Sequence, residues 1–180
     1  MSQASKKVEW CLRKAEKELG ECEKLGKRPK HRGLIKINPS KKMIESHLNK
    51  AEENLNFALS LNSERYGYKV IESLFYSIYH CFLAIISKFG YESGNQTCTI
   101  DLIEYLKEIN KIDLNQNYID MMKYKDEQGD KNSISFIEMR EDYTYGSKVS
   151  IEKERIEKLV EIVKELIHDT KEIVYKNDRN

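Results

Sequence analysis

Residues 68–89 read YKVIESLFYSIYHCFLAIISKF, and this stretch decides the fold of the chain. It contains neither Pro nor Gly, and its large apolar side chains point in nearly every direction around a helix. A helix that is apolar all round is a buried one. The length would also suit a membrane span, but Glu72, His80 and Lys88 would be costly in lipid. We therefore predict a buried central helix and no membrane segment.

Two narrower faces run along this helix. The first, the small-residue stripe, allows another helix to approach closely, either from the same chain or from a second subunit; it consists of Ser73, Ser77, Cys81 and Ala84. The second, the polar stripe, consists of Glu72, Tyr76, Tyr79 and His80. Because buried polar groups need partners, the polar stripe is expected to face either an internal network of the bundle or a cleft.

Length and composition favour one cytoplasmic domain. The chain has 180 residues and 34% charged residues, but its net charge is only +1, so global charge indicates no partner. Charges occupy the N-terminal positions at which a signal peptide needs an apolar run, so we expect no export. Cys11, Cys22, Cys81 and Cys98 form no CxxC pair and are predicted to act as separate small hydrophobes in a reducing cytosol. A four-thiol metal site is the less favoured alternative.

Apolar periodicity predicts an all-α fold. Besides the central helix, helices are expected over residues 5–25, 40–61, 99–109, 116–125 and 151–175. Turns are expected around Gly67 and over residues 91–97, a polar loop over 126–133, and an irregular docked segment over 134–150. The prediction is an up-and-down bundle of about five to six helices over residues 40–180. An N-terminal helix and basic linker, residues 1–39, would precede it within a single globular unit.

The linker carries the clearest electrostatic signal. Between Lys24 and Lys42 there are eight Lys or Arg residues and no acid, interrupted by Gly and Pro. Such a block in a neutral protein favours a phosphate-bearing partner, although no aromatic residue within it supports base stacking. The alternative is a solvated connector between helices. The cations predicted to contact RNA phosphates, hereafter the basic loop, are Lys27, Arg28, Lys30 and Arg32.

Common catalytic motifs are absent from the sequence. It contains no phosphate-binding Gly-rich loop, HExxH motif or nucleophile elbow. The four histidines lie far apart in sequence, and no two have helical ligand spacing, although convergence in space remains open. We therefore predict no metal and no cofactor.

The densest group of functional side chains lies in residues 138–146, EMREDYTYG. Arg140 can bind a phosphate with two parallel hydrogen bonds, and Tyr143 and Tyr145 can donate hydrogen bonds or stack on a base. The alternative is a structural ion pair between Arg140 and its acidic neighbours, with both tyrosines packed on the bundle.

The run SLFYSIYHCFLAIISKFGYESGNQTCTIDLIEYL, followed by EMREDYTYG and a long last helix, resembles the HEPN superfamily. The resemblance is closest to stand-alone prokaryotic members and covers residues 47–175. It implies a helical bundle that commonly dimerises and works near nucleotides or RNA, often beside a nucleotidyltransferase in toxin–antitoxin or defence systems. Active HEPN ribonucleases use an arginine and a histidine four to six residues later, without metal, at the dimer cleft. Here Arg140 is followed by Tyr143 and Tyr145, and by no histidine until His168.

These observations together predict a cytoplasmic, homodimeric HEPN-like protein without strong catalysis. It would bind a nucleotide, RNA or a nucleotidyltransferase partner through Glu72, Tyr76, Tyr79, His80, Arg140, Tyr143 and Tyr145. One alternative is a metal-independent endoribonuclease in which His80, Tyr143 or Tyr145 replaces the missing histidine. Tyrosine is a poor base at neutral pH because its hydroxyl titrates near pH 10. The other alternative is a pure protein-interaction module.

Overall fold

The computed structural model describes residues 2–125, 134–146 and 149–176, which are mostly helical. The elements are α1 (Gln3–Lys24), β1 (Leu34–Lys36), α2 (Lys41–Ser60), α3 (Ser63–Lys88), β2 (Tyr91–Ser93), α4 (Gln96–Glu108), α5 (Gln116–Asp120), α6 (Phe136–Tyr145) and α7 (Lys153–Tyr175). The prediction of an all-α helical bundle is confirmed. The predicted polar loop over 126–133 lies outside the described residues.

The central helix α3 is the core of the molecule, as its sequence predicts. It contacts α2, α4, α6 and α7, and it buries Phe75 and Phe82 almost completely. In length and composition α3 resembles a membrane span, but 78% of its most apolar 18-residue window is buried within the fold. Burying each large apolar side chain is worth roughly 1.5–3 kcal/mol, so packing around α3 dominates the stability of the bundle.

The predicted turn around Gly67 corresponds to a kink at the adjacent Tyr66, which separates a short first segment of α3 from the long central helix. The helix begins at Ser63, and only Tyr66 departs from helical geometry, with φ −126° and ψ 31°. Gly67 serves a different purpose, because a Cβ placed there would lie 2.7 Å from the carbonyl oxygen of Val149. The glycine therefore allows the segment before α7 to cross α3 closely.

The small-residue stripe is used inside the chain. Ser73, Ser77, Cys81 and Ala84 are all buried. The Ser77 hydroxyl donates a hydrogen bond of 2.7 Å to the carbonyl oxygen of Ala51 on α2. Small side chains on both helices thus let α2 and α3 approach closely. Of the two alternatives, a helix from the same chain is correct, and the stripe is not available to a second subunit.

The N-terminal helix is fixed to the bundle by a disulfide between Cys11 on α1 and Cys98 on α4, with their Cα atoms 5.8 Å apart. The prediction that all four cysteines act separately is therefore wrong for this pair. The two lie 87 residues apart, so no local motif indicates the bond, which follows from the packing of α1 along α4. Cys22 is a half-exposed free thiol and Cys81 a buried one. Whether the protein is cytoplasmic stays a prediction.

A small antiparallel sheet lies where the sequence predicts a linker and a turn. β1 pairs with β2, with Leu34 opposite Ser93 and Lys36 opposite Tyr91. The predictions of a linker at residues 34–36 and a turn at 91–93 are wrong there. Leu34 is only 1% exposed. Its burial holds β1, at the end of the basic segment, against the core.

Residues 136–145 form a helix, which corrects the predicted irregular segment. Ser135 caps α6 by accepting a hydrogen bond from the backbone N–H of Glu138 at 3.3 Å. Phe136 and Met139 are buried, and because they are three residues apart they lie on one face of α6. α5 ends at Asp120, several residues before the predicted limit.

Candidate functional site

The polar stripe includes a part of the α3 surface that lies between its contacts with α2 and with α6. On one side of it, Ser77 and His80 contact α2; on the other side, Phe75 contacts α6 through Arg140. At 3.6 residues per turn, Tyr76 falls between these two contact lines, and it is 39% exposed. We call this surface the polar groove. Of the two alternatives for the stripe, the internal network describes Tyr79 and His80, whereas Tyr76 is exposed at the surface.

Two residues of the polar stripe are bound within the fold. The Glu72 carboxylate pairs with the Lys69 ammonium at 2.6 Å. The Tyr79 hydroxyl lies 3.4 Å from the Thr99 hydroxyl on α4, and burial raises the pKa of Tyr79. Tyr76, which is exposed, is therefore the member of the stripe that is best placed to contact a ligand.

His80 is paired with a histidine that sequence reasoning did not single out. The Nδ1 atoms of His80 and of His47 on α2 are 3.2 Å apart, and the two rings stack with centroids 5.4 Å apart. Burial, with His47 and Lys50 as further causes, lowers the pKa of His80 to about 4. Burial and Lys50 also lower the pKa of His47. Burial therefore favours the neutral form of both imidazoles, and in that form the Nδ1–H of one ring can donate to the Nδ1 of the other.

Arg140 is held by an aromatic ring and not by an acid. Its guanidinium carbon lies 4.4 Å from the centroid of Phe75. The acidic neighbours of Arg140 are bound elsewhere: Glu138 accepts a hydrogen bond from the Lys125 backbone, and Glu141 accepts one from the Tyr124 hydroxyl, each at 2.6 Å.

No carboxylate lies within ion-pair distance of Arg140 in residues 2–125, 134–146 and 149–176. Between the two sequence-based alternatives, the structural ion pair is therefore not formed in this part of the chain, and the guanidinium keeps donors for a ligand.

The two candidate tyrosines of α6 differ in their exposure to solvent. Tyr143 is half-buried against the core, whereas Tyr145 at the end of α6 is 83% exposed. Arg140 and His80 border the same groove from opposite sides. Across the described ranges, however, no hydrogen bond joins them.

The basic loop is a separate surface beside α1. Lys27, Arg28, Lys30 and Arg32 are all exposed, and none forms an ion pair with the part of the chain that the structure describes. The backbone is nonetheless anchored, because the Arg32 N–H donates to the Glu18 carboxylate and the Cys22 thiol donates to the carbonyl oxygen of Lys30. Four cations are therefore presented to solvent from a fixed segment.

A cavity of about 450 Å³ lies at the C-terminal end of α3, away from the polar groove. Its charged lining is mixed and includes Lys88, Lys111, Asp113, Asp169, Glu172 and Lys176. The Lys88 ammonium already donates to the carbonyl oxygens of Ile173 and Lys176, at 2.8 and 2.7 Å. This end of the molecule therefore serves to anchor α7.

No family model and no curated protein matches this chain. The similarity to the HEPN superfamily is carried by the residues quoted above, and membership stays a proposal.

Proposed function

We propose that this chain is a HEPN-type protein that binds RNA or a nucleotide through the polar groove, without strong catalysis, as part of a toxin–antitoxin or defence system. The observation that carries the proposal is Arg140, whose guanidinium stacks on Phe75 without a carboxylate partner in the described chain. A guanidinium that lies over an aromatic ring, without a carboxylate partner, keeps N–H donors that match a phosphate.

Tyr76 supplies the second part of the proposed site. Its ring packs edge-to-face on Phe75 at 5.4 Å, so the same phenylalanine supports both Arg140 and Tyr76. An exposed tyrosine ring is a platform for a nucleobase, and such stacking contributes about 1–3 kcal/mol per base. A phosphate at Arg140 and a base on Tyr76 would therefore recognise a nucleotide unit of a single strand.

The direct test is fluorescence anisotropy with a labelled single-stranded RNA at fixed salt. We expect Arg140→Ala to weaken binding by about tenfold, since a hydrogen bond to a charged group contributes about 1.5–3 kcal/mol. Arg13→Ala is the matched control, because it removes the same charge from α1, where Arg13 lies 3.9 Å from Glu9. If both substitutions weakened RNA binding equally, or if neither weakened it, the polar groove would not be the RNA-binding site.

A metal-independent ribonuclease is the second candidate, favoured by the two imidazoles of His47 and His80 at the same groove. Against it, His80 contacts His47 and not Arg140. We expect little or no RNA cleavage in EDTA. The assay compares wild type with Arg140→Ala and His80→Ala: strong cleavage lost in both would establish the enzyme, whereas cleavage lost in neither would come from a contaminant.

A homodimer and a nucleotidyltransferase partner are also proposed. Both proposals are supported by the family resemblance alone. The small-residue stripe no longer supports a dimer, because it is buried within the chain. Purification with bound macromolecules retained, followed by identification of co-eluting species, tests the partner. Co-elution of a protein without any nucleic acid would favour the interaction module over RNA binding.

A further inference from the structure

We propose that His47 and His80 form a two-histidine chelate for a divalent transition-metal cation such as Zn²⁺ or Co²⁺. Neither the sequence motifs nor the family resemblance assigns a metal to this chain. The proposal depends on the convergence of two imidazoles that lie 33 residues apart in sequence, on two different helices.

The distance between the two nitrogens suits one metal ion. Imidazole nitrogens bind Zn²⁺ at about 2.0–2.1 Å in tetrahedral geometry, which sets two ligand nitrogens about 3.3–3.4 Å apart. The Nδ1 atoms of His47 and His80 are 3.2 Å apart. The ion would therefore enter with little movement of α2 relative to α3, since both helices are already held at this spacing by the buried Ser77–Ala51 contact.

The protonation state of the pair also suits a metal. Metal ligation requires neutral imidazole, and burial favours the neutral form of both rings. In the metal-free protein one Nδ1–H donates to the other Nδ1. On binding, the donor ring moves its proton from Nδ1 to Nε2 through water, so both Nδ1 lone pairs reach the ion and no net proton is released.

The chain leaves coordination positions open. Within residues 2–125, 134–146 and 149–176, no group of three or more His, Cys, Asp or Glu side chains could hold a metal. A tetrahedral ion would complete its shell with two water molecules or anions, one more than in catalytic zinc sites, which have three protein ligands. Lys50 adds positive charge beside the pair, which weakens binding of the bare cation and favours an anion in the open positions.

Isothermal titration of the tag-free protein with Zn²⁺ alone tests the proposal, and Co²⁺ absorption in the visible range reports the coordination. We expect one ion per chain and a zinc-dependent rise in melting temperature, because a ligand that binds only the folded state stabilises it. His47→Gln and His80→Gln should each weaken Zn²⁺ binding by at least about tenfold. Loss of a residue that only supports a metal ligand already weakens metal binding by about 10–100-fold, and loss of a ligand should cost at least as much. His168→Gln removes an exposed imidazole on α7 and should leave binding unchanged.

Lys50→Gln provides a second test that keeps both imidazoles, and it should tighten Zn²⁺ binding. Zinc binding that is unchanged in both His47→Gln and His80→Gln, or absent from wild type and from Lys50→Gln, would overturn the proposal. Because no RNA is present, this result is separate from the binding assay for Arg140, and either proposal can fail without the other.

Discussion

Gly33 should be among the least replaceable residues of the fold, although its backbone is not strained. The residue lies where the chain enters β1 and crosses α1. A Cβ at this position would lie 2.2 Å from the carbonyl oxygen of Cys11 and 2.8 Å from the backbone nitrogen of Ala15. Since a carbon–oxygen contact normally needs about 3.3 Å, Gly33→Ala requires a displacement of about 1 Å.

The neighbours of Gly33 cannot readily move away. Both contacts are to the backbone of α1, and Cys11 is also tied to Cys98 by the disulfide. The strand β1 must therefore shift, although Leu34 anchors it in the core. Overpacking commonly costs about 1–3 kcal/mol, and with rigid backbone on both sides we expect the upper end, about 3 kcal/mol. For a chain of this size that lowers the melting temperature by about 6–12 °C.

The assay is urea denaturation followed by circular dichroism, without reductant so that the disulfide stays intact. Gly20→Ala in α1, the helix that Gly33 contacts, is the matched control. No atom lies within 4 Å of a Cβ built at Gly20, so alanine should stabilise α1 by about 0.5–1 kcal/mol. The two substitutions should thus have opposite signs. A Gly33→Ala protein as stable as wild type would refute the close packing of β1 on α1.

Three further predictions concern the basic loop, the thiols and the oligomeric state. Replacing all four cations of the basic loop with Ser should reduce the slope of log affinity for single-stranded RNA against log salt by up to about 3; an unchanged slope would make the loop an ordinary connector. Without reductant, iodoacetamide should label the native protein only at Cys22, since burial raises the pKa of Cys81 to about 12; three or more labels per native chain would exclude the disulfide. Light scattering should give about twice the 21.2 kDa chain mass, and a monomer at micromolar concentration would rule out the proposed homodimer.

Local apolar periodicity explains the parts of the fold that the sequence predicts well. α1, α2 and α7 begin and end within about two residues of the predicted limits, because each carries a long stripe at helical spacing. The buried α3 follows from apolar residues on all its sides. The apolar pattern around Arg140 is too short to predict a helix, which depends instead on the N-cap at Ser135 and on burial against α3.

By itself, then, the sequence determined the all-α class, the buried central helix and the candidate residues Arg140, Tyr76 and His80. Only the tertiary structure decided their partners: Phe75 beneath Arg140, His47 beside His80, α2 against the small-residue stripe, and Cys98 bonded to Cys11. The physical reason is that a helix depends on residues three and four positions apart, which can be identified in the sequence. Contacts across 33, 65 or 87 residues depend on which helix faces meet when the core closes.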